Sequence, residues 1–432
     1  MAVRLDARAP DFARDFETLI SRTTASETDV GSAVRAIIAQ VRARGDAALL
    51  ELTEKFDGAR LSAAELRVTE HEIAAAETAC DLRALNALDH AARRIEAYHR
   101  RQLPKDEWYT DEAGVQLGWR WTALDSVGLY APGGTASYPS SVLMNAIPAR
   151  LAGVRRIAMV TPASKGRINP LVLAAATRAG VSEIYRVGGA QAIAALAFGT
   201  ESITPVDKIV GPGNAYVAAA KREVFGQVGI DSIAGPSEIL VVADASANPD
   251  WVAADLLSQA EHDASSQSVL ITDSAEFAAQ VEEAVDRALA LLPRRDIAAA
   301  SWRDHGAVIV VGKLADAAPL IDRIAPEHLE IAIADSDTLL PRVHHAGAIF
   351  LGAHTPEAIG DYIAGPNHVL PTSRTARFSS GLSVLDFMKR TTLLRCDQAS
   401  IAQLGPDAIA LAESEGLQAH AQSVAARLNT RP

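Results

Sequence analysis

The sequence predicts an α/β protein with two parallel sheets, a helical arm before them and a helical tail after them. Three observations carry that prediction. From Val127 onward, short apolar runs lead repeatedly into glycine-rich turns and then into helical patterns, the alternation that buries a parallel sheet between helices. The runs are numerous enough for two sheets. Both ends of the chain lack this grammar and read as helical.

In order, residues 10–23 (PDFARDFETLISRT) read as a short helix, an arm. Ser26 to Asp29 offer capping groups for a second helix, with Val34, Ile37, Ile38 and Val41 as its apolar stripe and Gly45 as its stop. A further helix runs to Phe56, and a long one spans 81–101 with Leu85, Leu88, Ala92 and Ile95 on one face. Trp108 to Trp121 alternates around Asp111–Gly114, a hairpin signal. Strands are then expected at 127–130, 156–160, 183–187, 208–210, 239–243, 269–272, 307–311, 329–333 and 348–351. Ligands in such folds sit at the carboxyl ends of strands, where the glycine-rich turns are. Residues 398–428 read as one or two helices with Gly405-Pro406 near their start, a tail suited to packing on a second subunit.

Hydrophobic residues make up 49% and charged residues 22%, the balance of a soluble globular chain. A net charge of −12 argues against nucleic acid or an anionic membrane as partner. Cys80 and Cys396 belong to no CxxC pair, so neither a disulfide framework nor a cysteine-rich zinc site is expected. MAVRLDARAPDFARDFETL has no apolar core of a secretory signal, no run is long enough to cross a bilayer, and a cytoplasmic location follows as the default.

Candidate chemistry lies in a few polar stretches. Gln259 and His262 in SQAEHD are three apart, so a helix projects them from one face toward one point, as a borderline metal such as zinc requires; alone, such a pair also reads as surface residues. The turns at Gly133-Gly134, Gly188-Gly189 and Gly211-Pro212-Gly213-Asn214 each follow a strand and open a helix. They are either tight βα turns or, with Tyr130, Gln191 and Asn214 beside them, a nucleotide site of nonstandard form, because no GxGxxG fingerprint is present. Glu327-His328 places an acid and a base side by side between a helix and a strand, which suits proton transfer but also a solvated loop. Asp361 offers a hard oxygen, and Glu415 and His420 add a carboxylate and an imidazole near the end. Ligand candidates so scattered suggest a catalytic site assembled by the fold.

Together SYPSSVLMNAIPA (137–149), VGGAQAIAALAFGT (187–200), KIVGPGNAYVAAAKR (208–222), AGPSEILVVAD (234–244), SQAEHD (258–263), PEHLE (326–330), GDYIAGPNHVLPT (360–372) and EGLQAH (415–420) resemble the histidinol dehydrogenase family, in family order and with no departure at a proposed site position. The resemblance implies oxidation of L-histidinol to L-histidine through the aldehyde, with two NAD molecules and one zinc per subunit, in the last steps of histidine biosynthesis. Carried over, it implies Gln259, His262, Asp361 and His420 as zinc ligands. Ser237, His328 and Glu415 join them around the substrate, whose imidazole and amine complete the coordination. It also implies Tyr130, Gln191 and Asn214 as NAD contacts, and a homodimer in which the segment of Glu415 and His420 comes from the other subunit. His328 is the expected base for both oxidations and Glu327 the expected activator of the water that hydrates the aldehyde. His368 is a further candidate lining residue.

The fold expected with it has two Rossmann-like domains: 25–126 plus 236–379 with the metal and catalytic loops, and 127–235 with the NAD loops. A helical arm (1–24) and a dimerisation tail (380–432) flank them. A dehydrogenase of the same kind acting on another polyol, a zinc hydrolase and a non-catalytic binding module are the rival readings.

Overall fold

A computed structural model describes residues 2–24, 30–133, 138–233 and 235–428. Ser26 to Asp29, expected to cap the second helix, and Gly134 and Ser137 of the first glycine-rich turn lie outside the described residues.

Two parallel sheets form the body. One has six strands in the order Val3–Asp6, Ala307–Val310, Gln267–Thr272, Glu238–Ala243, His328–Ala332, Ala348–Leu351. The other has five, in the order Glu183–Tyr185, Arg156–Val160, Ser126–Tyr130, Lys208–Val210, Gly229–Ile230. The central strands Glu238–Ala243 and Gln267–Thr272 are buried along their whole length, as helices on both faces require. The expected hairpin is present: Glu107–Thr110 pairs with Gln116–Ala123, and Asp111 closes the turn by accepting from the N–H groups of Ala113 and Val115. A third antiparallel strand, Met388–Arg395, joins it from the tail.

The apolar clusters group the segments differently from the expected division. Helices Gly31–Arg44 and Asp46–Asp57 pack on one face of the five-stranded sheet through Val34, Ile38, Val41, Leu49 and Leu52. The helix Leu82–Arg100 covers the other face with Pro139–Ala152 and Pro170–Ala179, through Leu88 and Ile95. The segment 31–100 is therefore built onto the five-stranded sheet, not onto the strands after 236. The expected arm is likewise integral. Val3–Asp6 is an edge strand of the six-stranded sheet, and Phe16, Leu19 and Ile20 of the helix Phe12–Thr24 are buried against it. The chain ends in two helices, Gln398–Ser414 and Gln418–Leu428, packed against each other. Among the described residues no helix is long and apolar enough to cross a membrane.

The two sheets meet through a short connection. It leaves the five-stranded sheet after Gly229–Ile230 and enters the six-stranded sheet at Glu238, the amino end of its strand. The carboxyl edge of one sheet thus leads to the amino edge of the other, and this positions the site.

Candidate active site

His328 is the first residue of its strand, in register with Ile239 and Ala348, and is 3% exposed. Its Nδ1 lies 3.0 Å from the backbone oxygen of Glu238, which can only accept, so Nδ1 carries a proton in either state of the ring, and Nε2 holds the lone pair when the ring is neutral. That Nε2 is buried and has no hydrogen-bond partner. The nearest oxygens are Asp361 Oδ1 at 3.5 Å and Glu357 Oε1 at 3.9 Å, which act as electrostatic neighbours at those distances. Against the effect of burial, the charges of Glu327, Asp361 and Glu357 raise the His328 pKa to about 10, so Nε2 is free to take a proton only once a bound cation offsets those carboxylates.

Glu327 and Glu238 are both buried and brace each other across two strands. Glu327 Oε2 accepts from the Glu238 N–H at 2.9 Å, and Glu238 Oε2 accepts from the Glu327 N–H at 3.3 Å. Glu238 Oε1 accepts a third N–H, from Ser373 at 2.8 Å. Burial pushes Glu327 up to about 7, with His328 opposing, and burial together with the charge of Glu327 pushes Glu238 up to about 8. Glu327 is thus poised near neutrality, where proton exchange is most effective.

His328, Glu357 and Asp361 each bring a ligand atom within 4.8 Å of the other two. Asp361 lies on the wide turn Gly360–Ala364; against the cost of its burial, the approach of His328 and the charge of His368 hold its carboxyl well below the usual range. Gln259 ends the helix Pro249–Ala260, is 1% exposed, and both of its amide atoms are buried without a hydrogen-bond partner. Beside it Ser258 Oγ donates to Glu357 Oε2 at 3.1 Å, so this helix end adjoins the cluster. Burial lowers the His262 pKa while the charge of Asp361 raises it, which puts the two side chains in electrostatic reach. An orphaned buried amide oxygen, a neutral imidazole and a fully ionised carboxylate form a donor set that fits zinc. His368 lines the same place, with Nδ1 2.9 Å from the backbone oxygen of Asp361 and Nε2 3.2 Å from Ser141 Oγ. Ser237 immediately precedes Glu238, and its backbone oxygen accepts from Gln267.

The cluster stands on the amino edge of its strands, not at the carboxyl ends where ligands were expected. In the other sheet the candidate residues stand at the carboxyl edge. Tyr130 ends its strand, and its hydroxyl oxygen accepts from the Gly189 N–H at 3.1 Å, while burial pushes its pKa up to about 12. Gln191 is 1% exposed, again with both amide atoms unpartnered. Asn214 is exposed and caps the helix Ala215–Val224 by accepting from Tyr216 and Val217. Gly211 has φ +107°, and a Cβ there would stand 2.2 Å from the Tyr130 backbone oxygen, so only glycine lets these two strand ends approach.

Two expected residues are not brought to the cluster by their own chain: Glu415 and His420 are exposed on the C-terminal helix pair. The sequence reading missed Glu238 and Glu357, and also a deeper carboxyl pair. Glu330 is pushed up to about 9 by burial and by Asp255, and Asp255 up to about 6 by burial. Glu330 Oε1 accepts from the Glu357 N–H at 2.6 Å. The one available signal was an acid inside an apolar strand pattern, in SEILVVA and HLEIA.

Comparison with known proteins gives a consistent result. The family model described as histidinol dehydrogenase matches residues 20–428. The chain is 63% identical over 431 residues to the histidinol dehydrogenase of Rhodopseudomonas palustris, covering 100% of both. It is also 63% identical to that of Bradyrhizobium diazoefficiens over 429 residues, 99% of this chain and 100% of the relative. A crystal structure of histidinol dehydrogenase from Elizabethkingia anophelis superposes with a TM-score of 0.94 at 38% identity, covering 99% of this chain and 98% of that one.

Proposed function

The chain belongs to the histidinol dehydrogenase family, an oxidoreductase family, and on that premise we propose that it oxidises L-histidinol to L-histidine through L-histidinal with NAD and one zinc ion per subunit. The observation that carries this reading is His328, its Nδ1 tied to a carbonyl and its bare Nε2 buried beside Asp361. Gln259, His262 and Asp361 would hold the zinc, with His420 of a second copy as fourth ligand and Glu415 beside it. Both residues are exposed on their own chain, so a homodimer with shared sites would supply what the single chain lacks. When bound, zinc would anchor the imidazole and amine of histidinol, and NAD would accept one hydride in each oxidation. Tyr130, Gln191 and Asn214 would contact the NAD. The cytoplasmic setting expected from the sequence belongs to this reading too.

The side chains divide the remaining work. In the first oxidation His328 Nε2 takes the hydroxyl proton of the alcohol as its carbon loses hydride, leaving the aldehyde. The aldehyde must then add water. Glu327, with one oxygen held by the Glu238 N–H, uses the other to take a proton from that water, while His328 returns its proton to the aldehyde oxygen and is a base again. His328 takes the hydrate's hydroxyl proton as the second hydride leaves, and the carboxylate of histidine results. Ser237, Glu415 and His368 line the substrate, and burial excludes bulk water from the transfer.

The test is NADH formation from L-histidinol by the full-length protein. Two NADH per histidinol are expected. Activity should fall to background after chelation and return with zinc. A chelated, metal-free protein that keeps full activity would remove zinc from this account, and no NADH at all would remove the dehydrogenase.

A further inference from the structure

Asp57 ends the helix Asp46–Asp57 and brings its carboxylate to the turn after the strand Glu183–Tyr185. Burial pushes its pKa up and a hydrogen bond from the Gly188 N–H pulls it down. Its Oδ2 is buried with no hydrogen-bond partner, and its charge reaches the Tyr130 hydroxyl. Gln191 turns into the same place, its Oε1 2.7 Å from where a Cβ on Gly189 would stand. One turn therefore gathers a carboxylate and an amide with unfilled hydrogen-bonding capacity, next to a phenol that accepts from Gly189.

The start of the ten-residue helix Gly189–Phe198 would ordinarily attract a phosphate. Here Asp57 already holds the Gly188 amide, and a phosphate would face its negative charge. A sugar diol has the opposite chemistry, with hydroxyl donors for the carboxylate and oxygens for the Gln191 amide. The topology says which sugar. The strand order places Glu183–Tyr185 at one end of the sheet, whereas Lys208–Val210 and Gly229–Ile230 lead toward Glu238 and the catalytic cluster. The nicotinamide must reach that cluster, so the adenosine half lies on the Asp57 side.

We propose that Asp57 accepts the adenosine ribose hydroxyls of the dinucleotide and so makes the site select NAD over its 2′-phosphorylated form, an assignment that rests on reading this edge as the NAD site. The full-length zinc-loaded protein is titrated calorimetrically with NAD, with NADP and with NAD lacking the adenosine 2′-hydroxyl. Wild type is expected to bind the last two at least about tenfold more weakly than NAD, and Asp57→Ala to bring all three within about threefold of one another. Equal binding of NAD and its deoxy analogue by wild type, or a variant that keeps wild-type discrimination, overturns the assignment alone. If wild type binds no NAD, the reading of this edge falls and the assignment with it. Should Asp57→Ala fail to fold, the three wild-type titrations still decide.

Discussion

The carboxyl edge of the five-stranded sheet and the amino edge of the six-stranded sheet face one task with opposite chemistry. At the first, strands end in glycine turns that open helices; Tyr130, Gln191 and Asn214 are neutral, Asp57 stands alone, and the charges of Lys221 and Asp231 pair with each other at the Gly211 turn. At the second, strands begin, and their leading N–H groups point at carboxylates. Glu238 N–H holds Glu327, and Glu327 N–H and Ser373 N–H hold Glu238. Backbone amides that start a strand lack a helix to donate into, so a buried carboxylate is the partner that satisfies them. In the proposed reading, one edge binds a large polar molecule and the other stores and moves protons.

That contrast breaks first at His328. His328→Asn is expected to lower NADH formation from both histidinol and histidinal on the order of a thousandfold, the share of a positioned base. Glu327→Gln should slow the aldehyde reaction by about a hundredfold and the alcohol reaction by less than about tenfold, because only the former needs an activated water. Steady-state rates with each substrate, under saturating NAD, measure the split. Equal losses in the two reactions for Glu327→Gln would merge the roles assigned to the pair.

Much of this was legible in the sequence, for a physical reason. Strands buried on both faces write themselves as continuous apolar runs, so those at 239–243 and 269–272 were placed within a residue or two. What an amphipathic helix cannot state is which core it faces. Val34, Ile38 and Val41 declare a buried stripe but not that it belongs to the sheet of Tyr130. Val3–Asp6 is four residues long with two of them charged, too short for any period to show. Glu357 has no ligand spacing and acquires its meaning only where the helix end at Ser258 meets it. Glu415 and His420 show in the sequence only as a carboxylate and an imidazole; their place at the site follows from the resemblance, since nothing in one chain draws them to the cluster.

Each edge also holds one buried glutamine with both amide atoms unpaired, Gln191 and Gln259. Such a group costs stability, so its retention points to a ligand. Gln191→Leu is expected to weaken NAD binding by about tenfold and leave zinc content intact; Gln259→Leu should lose zinc and leave NAD binding intact. Both ligand-free variants should melt above wild type, by about 1 kcal/mol or more of stability. Calorimetric titration, metal analysis and thermal melts report the three quantities. A variant that loses both ligands would show the two edges to be one structural unit.

The smallest effect comes from deeper in the catalytic edge, where Glu330 is held at a pKa of about 9 by burial and by Asp255. The folded protein keeps a proton that the unfolded carboxyl releases near its ordinary value of 4.5. The unfolded state therefore binds fewer protons throughout that window. Stability from this group is full below pH 4.5 and is lost as pH rises toward 9. Glu330→Gln removes the titration while keeping an amide of similar shape. Its melting temperature should fall less steeply than that of wild type between pH 6 and pH 9, and the two curves should converge or cross at the alkaline end. The neutral-rich edge of the five-stranded sheet offers a control, because Gln191→Leu removes no titrating group and should run parallel to wild type over the same range. Parallel curves for Glu330→Gln would mean that its proton is not stored by the fold, and the carboxyl pair would then be packing rather than part of the proton-holding edge.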